Sequence, residues 1–534
     1  MQLPEVSRRF LVYQNPHQGL RNNPPGFTLD STLCRRQSTV SALWSRLRRY
    51  SVIHVRGTPA SGKSTLAQLL ARHVKKNSDI PVLIASWPLN FPDPIGVYSD
   101  YNDLLNFIFK KRQLDNWMGQ PRLIIIDEAQ SSYPYLSFWN DLIKSITYGC
   151  FPYVALFTSY GSPGSEPINY RTPTPIYSLP EQRVSLWPTT ANPELGLFFS
   201  REEFNDITAR VLEHHSQHGQ HFLLSEDLKE FVYRMTSGHA SAVRCLLDGL
   251  ALSEEFREFR KTSSPISLDI AMQCFSEDTF ILHCIEKFGY ATFGRGPPKN
   301  EFLRNNASIT QFLREIVACR LCEDKPEQNR SLDICYQNGW LHGTLLDDGK
   351  VAYVFTTALH RRYLEHVLSI NTPPFPKQSY GTLRQFWMAV IPRIEPAALR
   401  DSASVEALFQ DEFYRACYSL MDRQLYLSSE WTGREKGGRV DFQVRGTDWA
   451  IELLRDGNGI DEHISRFEPG GQYYLWMQSK EIQDYAVLDF RTTQPRKKRD
   501  NPHLYYVVFT EDYTTYRFYN SRVEQVGDQV ALLK

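Results

Sequence analysis

The chain has no apolar run near the ~20 residues that a membrane-crossing helix needs. Its opening residues, Met-Gln-Leu-Pro-Glu-Val-Ser-Arg-Arg, hold no apolar stretch of the kind a secretory leader carries. Neither a membrane partner nor secretion is therefore expected, and the reading is an intracellular protein, cytoplasmic or nuclear. Net charge is also absent: 60 Lys and Arg stand against 60 Asp and Glu. No global basic field marks a nucleic-acid binder, so any such surface has to be local. Cysteine is sparse and odd in number, 9 in 534 residues, which excludes a disulfide scaffold and fits reduced thiols. Cys319 and Cys322 have metal-ligand spacing, but no second CxxC or HxxxH accompanies them, and a helix-borne thiol pair is expected rather than zinc. There is no internal repeat and no long low-complexity tract. What is present is ordinary for a soluble globular protein, 42% apolar and 22% charged residues. The length fits two to four domains.

Residues 1–30, rich in Asn, Pro and Gly, read as an irregular lead-in. Short β-rich runs at Val52-Ile53-His54-Val55, Val82-Leu83-Ile84-Ala85, Leu123-Ile124-Ile125-Ile126 and Val154-Ala155-Leu156-Phe157 are separated by helical stretches. That alternation predicts a buried parallel sheet, so 31–200 is expected to be an α/β domain. Helical periodicity takes over in 201–370, as in Leu228, Phe231, Val232 and Met235. A hairpin is expected around the Asp348-Gly349 turn, followed by a helix from Thr357 to Leu368. The Pro-rich stretch inside 371–384 reads as a linker, and 385–534 as a third, α+β domain.

Gly57-Thr58-Pro59-Ala60-Ser61-Gly62-Lys63-Ser64 fits GxxxxGK[ST] without exception, after a strand and before a helix that continues through Thr65. Glycines let backbone N–H groups turn inward around phosphate oxygens, and the helix N-terminus favours their charge. Lys63 reaches the terminal phosphates and Ser64 can hold Mg²⁺. A second element, Leu123-Ile124-Ile125-Ile126-Asp127-Glu128, ends a buried strand on two carboxylates and looks like a Walker B motif. Asp127 would hold Mg²⁺ through water and Glu128 would polarise the attacking water. Thr158, Ser159 and Tyr160 close the next strand and offer a polar sensor. Ser237-Gly238-His239 resembles the turn that opens a lid helix in STAND-type and related AAA-like ATPases, where Arg244 could touch nucleotide; the hairpin and helices at 335–368 look like the winged helix that follows such lids. Asp127-Glu128-Ala129-Gln130 also resembles a helicase acidic box, but no Ser-Ala-Thr element or second motor half follows. No Asn-Lys-x-Asp is present, which favours ATP over GTP.

In the third domain, Asp441 and Glu452 lie on two strands joined by one hairpin, with ten residues between them. That spacing brings two carboxylates to one Mg²⁺ in Asp-x10-Glu-x-Lys nucleases. Glu412, or else Glu406, is the candidate third acid on an upstream helix. The lysine position holds Leu454, so the cation would have to be Arg455, Lys436, His463 or Arg466. Arg496-Lys497-Lys498-Arg499 is a local basic run that could meet phosphates or be read by nuclear import.

Arg56 to Lys63, Ile126 to Gln130, Ser159-Tyr160-Gly161-Ser162-Pro163-Gly164, and the run from Ile451 through Glu462-His463 to Arg466-Phe467 together resemble the Crinkler family, related to retrotransposon hot spot proteins. The resemblance implies a P-loop NTPase fused to a PD-(D/E)XK, restriction-endonuclease-like domain, with a helical lid and winged helix between. It further implies ATP and Mg²⁺ as cofactors, DNA as partner, and a role as nuclear effector or in conflict between genomes. Nuclear proteins and a second copy of the chain are the other partners it allows. It makes Leu453-Leu454-Arg455 the family's own form of the nuclease motif.

Overall fold

The computed structural model describes residues 31–532 apart from 88–99, 110–116, 134, 136, 160–178, 217–220, 275–283, 290–292, 324–328, 346–349, 371, 397–398, 400–405 and 432–437. The irregular lead-in, Tyr160 with the glycine-rich run after it, and the Asp348-Gly349 turn therefore lie outside the described residues. Contacts divide the chain into two compact units, one of residues up to Gly57 with Lys63–Leu197, the other of Thr58–Gly62 with Phe198–Lys534.

The first unit is the expected parallel sheet. Strands β1 (Val52–Arg56), β2 (Val82–Ser86), β3 (Leu123–Asp127), β4 (Tyr153–Thr158) and β5 (Arg183–Val184) stand in the order β2-β3-β4-β1-β5. All the pairings are parallel, with Ile126 opposite Leu156 and Arg56 opposite Thr158. β3 and β4 are buried along their whole length, which is why they read as unbroken apolar runs rather than as alternation. Helix α1 (Gln37–Tyr50) precedes β1, and α2 (Lys63–Asn77) follows the glycine-rich loop. Leu66, Leu69, Leu70 and Val74 of α2 are buried, each worth about 1.5–3 kcal/mol. Ile124, Ile126, Val154 and Leu156 pack on the other side with Trp87, Phe138, Trp139 and α3 (Tyr101–Ile108).

The second unit opens on helices α4 (Arg201–His215), α5 (Glu226–Thr236) and α6 (Ala240–Leu252). A capping box starts α4: the Glu203 N–H donates to Ser200 Oγ and the Ser200 N–H to Glu203 Oε2, both at 3.2 Å. The antiparallel sheet β6-β8-β7 (Leu321–Cys322, Val351–Phe355, Leu341–Leu345) follows, with helices α7 (Ala307–Cys319), α8 (Arg330–Gln337) and α9 (Ala358–Ser369), the element order expected of a winged helix. Thr357 caps α9 rather than starting it, its hydroxyl accepting the His360 N–H at 3.3 Å. A seven-stranded mixed sheet closes the chain, in the order β15-β14-β13-β12-β11-β10-β9. Its members are β9 (Leu427–Trp431), β10 (Val440–Val444), β11 (Trp449–Arg455), β12 (Asp484–Arg491), β13 (Leu504–Phe509), β14 (Thr515–Asn520) and β15 (Gln525–Ala531). β11, β12 and β13 run parallel and the remaining neighbours antiparallel. Helices α10 (Leu383–Val390), α11 (Glu406–Leu420), α12 (Ile460–Ser465) and α13 (Tyr474–Gln478) cover it.

Two expectations need correction. The Pro-rich stretch at 371–384 ends α9 but does not divide the packing. Leu313, Leu341 and Leu364 before it share one core with Phe375, Trp387, Phe413 and Leu453. Arg362 of α9 also donates to Ser429 Oγ of β9 at 2.6 Å, beside the buried Glu365. Proline stops a helix by removing a donor and fixing φ, which says nothing about what the flanking side chains bury against. Of the thiol pair only Cys319 is helix-borne: α7 ends on it, Arg320 turns at φ 66°, and Cys322 lies on β6. No group of three or more His, Cys, Asp or Glu able to hold a metal occurs among the described residues.

Candidate functional site

β1 and α2 place the ends of the phosphate loop. Gly57 donates its N–H to Thr158 O at 3.0 Å, and Ala60 and Gly62 turn at φ 60° and 95°. Ser61 Oγ closes the turn on Thr58 O at 2.6 Å. Lys63 is buried at the first position of α2 and its Nζ donates to Gly57 O at 3.1 Å. Burial pushes the Lys63 ammonium down, and the carboxylates of Glu128 and then Asp127 offset part of that. Asp127, 2% exposed at the end of β3, is pushed up by burial and held back mainly by a hydrogen bond from the Ser64 hydroxyl. The structure thus brings Lys63, Ser64, Asp127 and Glu128 together, as the two separate motifs require. A hydroxyl and a buried carboxylate, with an ammonium beside them, are a donor set that a phosphate-bound Mg²⁺ would fit, and Ser64 and Asp127 would hold it.

At the end of β4 one of the three sensor candidates is engaged elsewhere. Thr158 Oγ1 lies 2.8 Å from His54 Nε2, so its hydroxyl is engaged along the sheet. Burial first, and then the charges of Arg56 and Arg183, hold His54 down to about 3, so it is neutral at physiological pH. Ser159 donates its N–H to the side chain of Gln130 at 3.1 Å. In the second unit, Gly238 turns at φ 80° where a Cβ would stand 2.4 Å from Phe199 O, and His239 caps α6 by accepting the Ala242 N–H. Arg244 pairs with Asp248 one turn on, at 2.7 Å.

The acids of the C-terminal sheet meet other partners than those expected. The β10–β11 ladder pairs Phe442 with Ile451, and Asp441 is the next residue out. Its Oδ2 accepts the Leu453 N–H at 2.7 Å and its Oδ1 the Gln410 amide at 2.9 Å. The carboxylate stands in for a missing ladder carbonyl. Glu452, 1% exposed, has Oε2 2.6 Å from His463 Nδ1 and takes the Tyr473 hydroxyl on Oε1 at 3.0 Å, with Arg466 at 3.6 Å. Glu412 is not brought to this pair: it is clamped by Arg415 and accepts the Glu395 N–H at 2.6 Å. From α11 it is Gln410 that reaches Asp441. Leu454 is core, beside Ile460, Ile464 and Trp476. Arg455 lies 3.1 Å from Asp456 and over the Phe409 ring. The Glu406 side chain and Lys436 lie outside the described residues. In the basic run, Lys497 and Arg499 both bind Asp461, at 2.7 and 2.6 Å, and hold its carboxyl down to about 2.

An acid that spacing did not single out lies next to Leu454 in register. Asp489 of β12 is fully buried, accepts the Gly457 N–H at 2.8 Å and pairs with Arg491 at 3.2 Å. Its one sequence signal is a charge inside the apolar run Tyr485–Phe490. Burial pushes its carboxyl up to about 6. A raised carboxyl favours the folded state while protonated, and that contribution is lost as pH rises from about 4 through about 6. Asp489→Asn keeps the acceptor for Gly457 without the charge. It is expected to raise urea-unfolding stability at pH 7.5 by up to about 3 kcal/mol and to leave it nearly unchanged at pH 4. Equal effects at the two pH values would show the charge to be compensated.

A GxxxxGKS loop between β1 and α2, an acidic pair closing β3, and the strand order β2-β3-β4-β1-β5 define a P-loop NTPase fold in the first unit. No family model matches the chain and no curated protein does. Among solved structures it is similar to a Walker-type ATPase of Pyrococcus abyssi, 11% identical, over 62% of this chain and 96% of that one, with a TM-score of 0.35. Cdc6p of Pyrobaculum aerophilum is 13% identical over 65% and 96%, with a TM-score of 0.27. Domain III of the Thermotoga maritima replication initiation protein DnaA is 13% identical over 45% and 90%, with a TM-score of 0.24. These likenesses are remote, and the fold assignment rests on the strand order and the loop. No helix among the described residues is long and apolar enough to cross a membrane.

Proposed function

We propose that the chain binds and hydrolyses ATP with Mg²⁺ and uses the nucleotide state to control a C-terminal domain that acts on DNA. The observation that carries the first half is the buried Lys63, its Nζ on the Gly57 carbonyl, with Glu128 and the buried Asp127 close enough to act on its charge. Mg²⁺ held there would offset charge on the β- and γ-phosphates. Lys63 and the loop N–H groups would orient the phosphates, and Glu128 would take a proton from the attacking water. In this reading Arg244 of α6 is a nucleotide contact.

For the C-terminal domain the first reading is Mg²⁺-dependent, Crinkler-type cleavage of DNA by Asp441 and Glu452, with His463 and Arg455 near the cut phosphate. The position of Asp441 and Glu452, each one residue beyond the paired Phe442 and Ile451 of β10 and β11, supports it. A second reading, a nuclease-like domain that binds nucleic acid or protein without cutting, is favoured by the engagement of both Glu452 oxygens with Tyr473 and His463. The test is ATP turnover by the full chain in Mg²⁺ and in EDTA, run beside supercoiled plasmid with and without ATP. Mg²⁺-dependent turnover with nicking supports the first reading. Turnover with salt-sensitive DNA binding and intact plasmid supports the second. Absence of turnover overturns the ATPase.

A further inference from the structure

Gln130 joins the two strand ends that border the phosphate site. At Glu128 the chain turns with φ 54°, a left-handed conformation costing an ordinary residue about 1–2 kcal/mol. Beyond this turn its carboxylate is held by hydrogen bonding. One partner is the Gln130 amide, whose Nε2 donates to Glu128 Oε2 at 2.5 Å. The other end of the same amide, Oε1, accepts the Ser159 N–H at 3.1 Å, just past β4. The two bonds fix the amide's orientation. Reversed, it would set a carbonyl oxygen against a carboxylate and an NH₂ against an N–H. Gln130 itself sits on the short turn Ala129–Ser132, pinned by Ser132 Oγ to Ala129 O at 2.6 Å, so the amide reaches out from a fixed base.

We propose that Gln130 is the positioning residue of the hydrolytic step, holding one oxygen of Glu128 so that the other takes the proton of the attacking water, and tying that carboxylate to the end of β4. The inference rests on the reading of Glu128 as the group that polarises the water. Gln130 does not itself touch nucleotide in it. A general base has to stand within hydrogen-bond reach of the proton it takes, and displacement by about 1 Å costs on the order of a hundredfold in rate. A residue acting only in this way changes kcat and leaves ATP affinity alone.

Two variants separate the two ends of the amide. Gln130→Met keeps length and bulk and loses both bonds. Gln130→Glu keeps an acceptor for Ser159 and replaces the donor with a second carboxylate facing Glu128. In the full chain, steady-state hydrolysis is expected to fall about 10–100-fold in kcat for Met and further for Glu. ATP affinity, measured by titration, should stay within about twofold. Hydrogen exchange at the Ser159 amide should quicken in Gln130→Met and stay slow in Gln130→Glu. Wild-type kcat in Gln130→Met overturns the assignment and leaves the ATPase standing. A parallel loss of ATP affinity and kcat overturns it too, by showing that Gln130 shapes the loop instead. If the wild-type chain binds ATP without hydrolysing it, the role of Glu128 falls and this one falls with it.

Discussion

Lys63→Ala is expected to remove ATP binding, and Glu128→Gln to keep binding while lowering hydrolysis by about a thousandfold. The two differ because the residues stand at different places on the reaction path. Lys63 is buried with its ammonium against the Gly57 carbonyl and two carboxylates nearby. Alanine there leaves the buried Asp127 and the half-buried Glu128 as neighbouring like charges, next to where the phosphates would add more. Lys63 is also one of the groups that hold the Asp127 carboxyl down. Glu128→Gln removes one negative charge beside the phosphates and leaves Lys63 and Asp127 in place, so ATP should still bind, and a slow or stalled complex should accumulate. Titration with ATP and single-turnover hydrolysis check both. Hydrolysis by Lys63→Ala at the wild-type rate would remove the phosphate site from this loop.

That half of the molecule is legible in the sequence because its chemistry is local. Eight consecutive residues carry the phosphate loop and six carry the acidic strand, so each motif states its own geometry. Burial on both faces marks the strands as members of a parallel sheet, and the structure supplies their order. What stayed hidden depends on partners distant along the chain. Thr158 is one of three candidates for a sensor until His54, 104 residues away, is seen to engage its hydroxyl. Gln130 reads as part of a helicase-like box until its amide is found between Glu128 and Ser159. In the C-terminal sheet the spacing of Asp441 and Glu452 places them near one another but not what each oxygen bonds. Tyr473 lies 21 residues from Glu452 and Gln410 lies 31 from Asp441, with no motif linking either pair. Glu412 was the natural third acid by composition, and its clamp by Arg415 is a helix i,i+3 pair that many helices carry without consequence.

Glu452→Ala is expected to destabilise the C-terminal sheet by about 3–5 kcal/mol, a larger effect than any on DNA chemistry that could be read from the same protein. The carboxylate is 1% exposed and joins β11 to α12 and the turn before α13 through His463, Arg466 and Tyr473. Alanine leaves an imidazole, a guanidinium and a phenol around a cavity, and unpaired buried polar groups cost more than the pair contributed. Loss of plasmid nicking in that variant would therefore follow from unfolding as readily as from a missing metal ligand. Asp441→Asn is the discriminating change. Asparagine still offers an oxygen to the Leu453 N–H, so the fold should hold, with thermal unfolding within a few degrees of wild type. A metal ligand needs the charge that asparagine lacks. If the domain cuts DNA, Asp441→Asn should abolish Mg²⁺-dependent nicking at unchanged stability, while Glu452→Ala loses nicking and melting temperature together. Nicking that survives in a folded Asp441→Asn protein would take Asp441 out of the chemistry and leave it as the acceptor that closes the β10–β11 ladder.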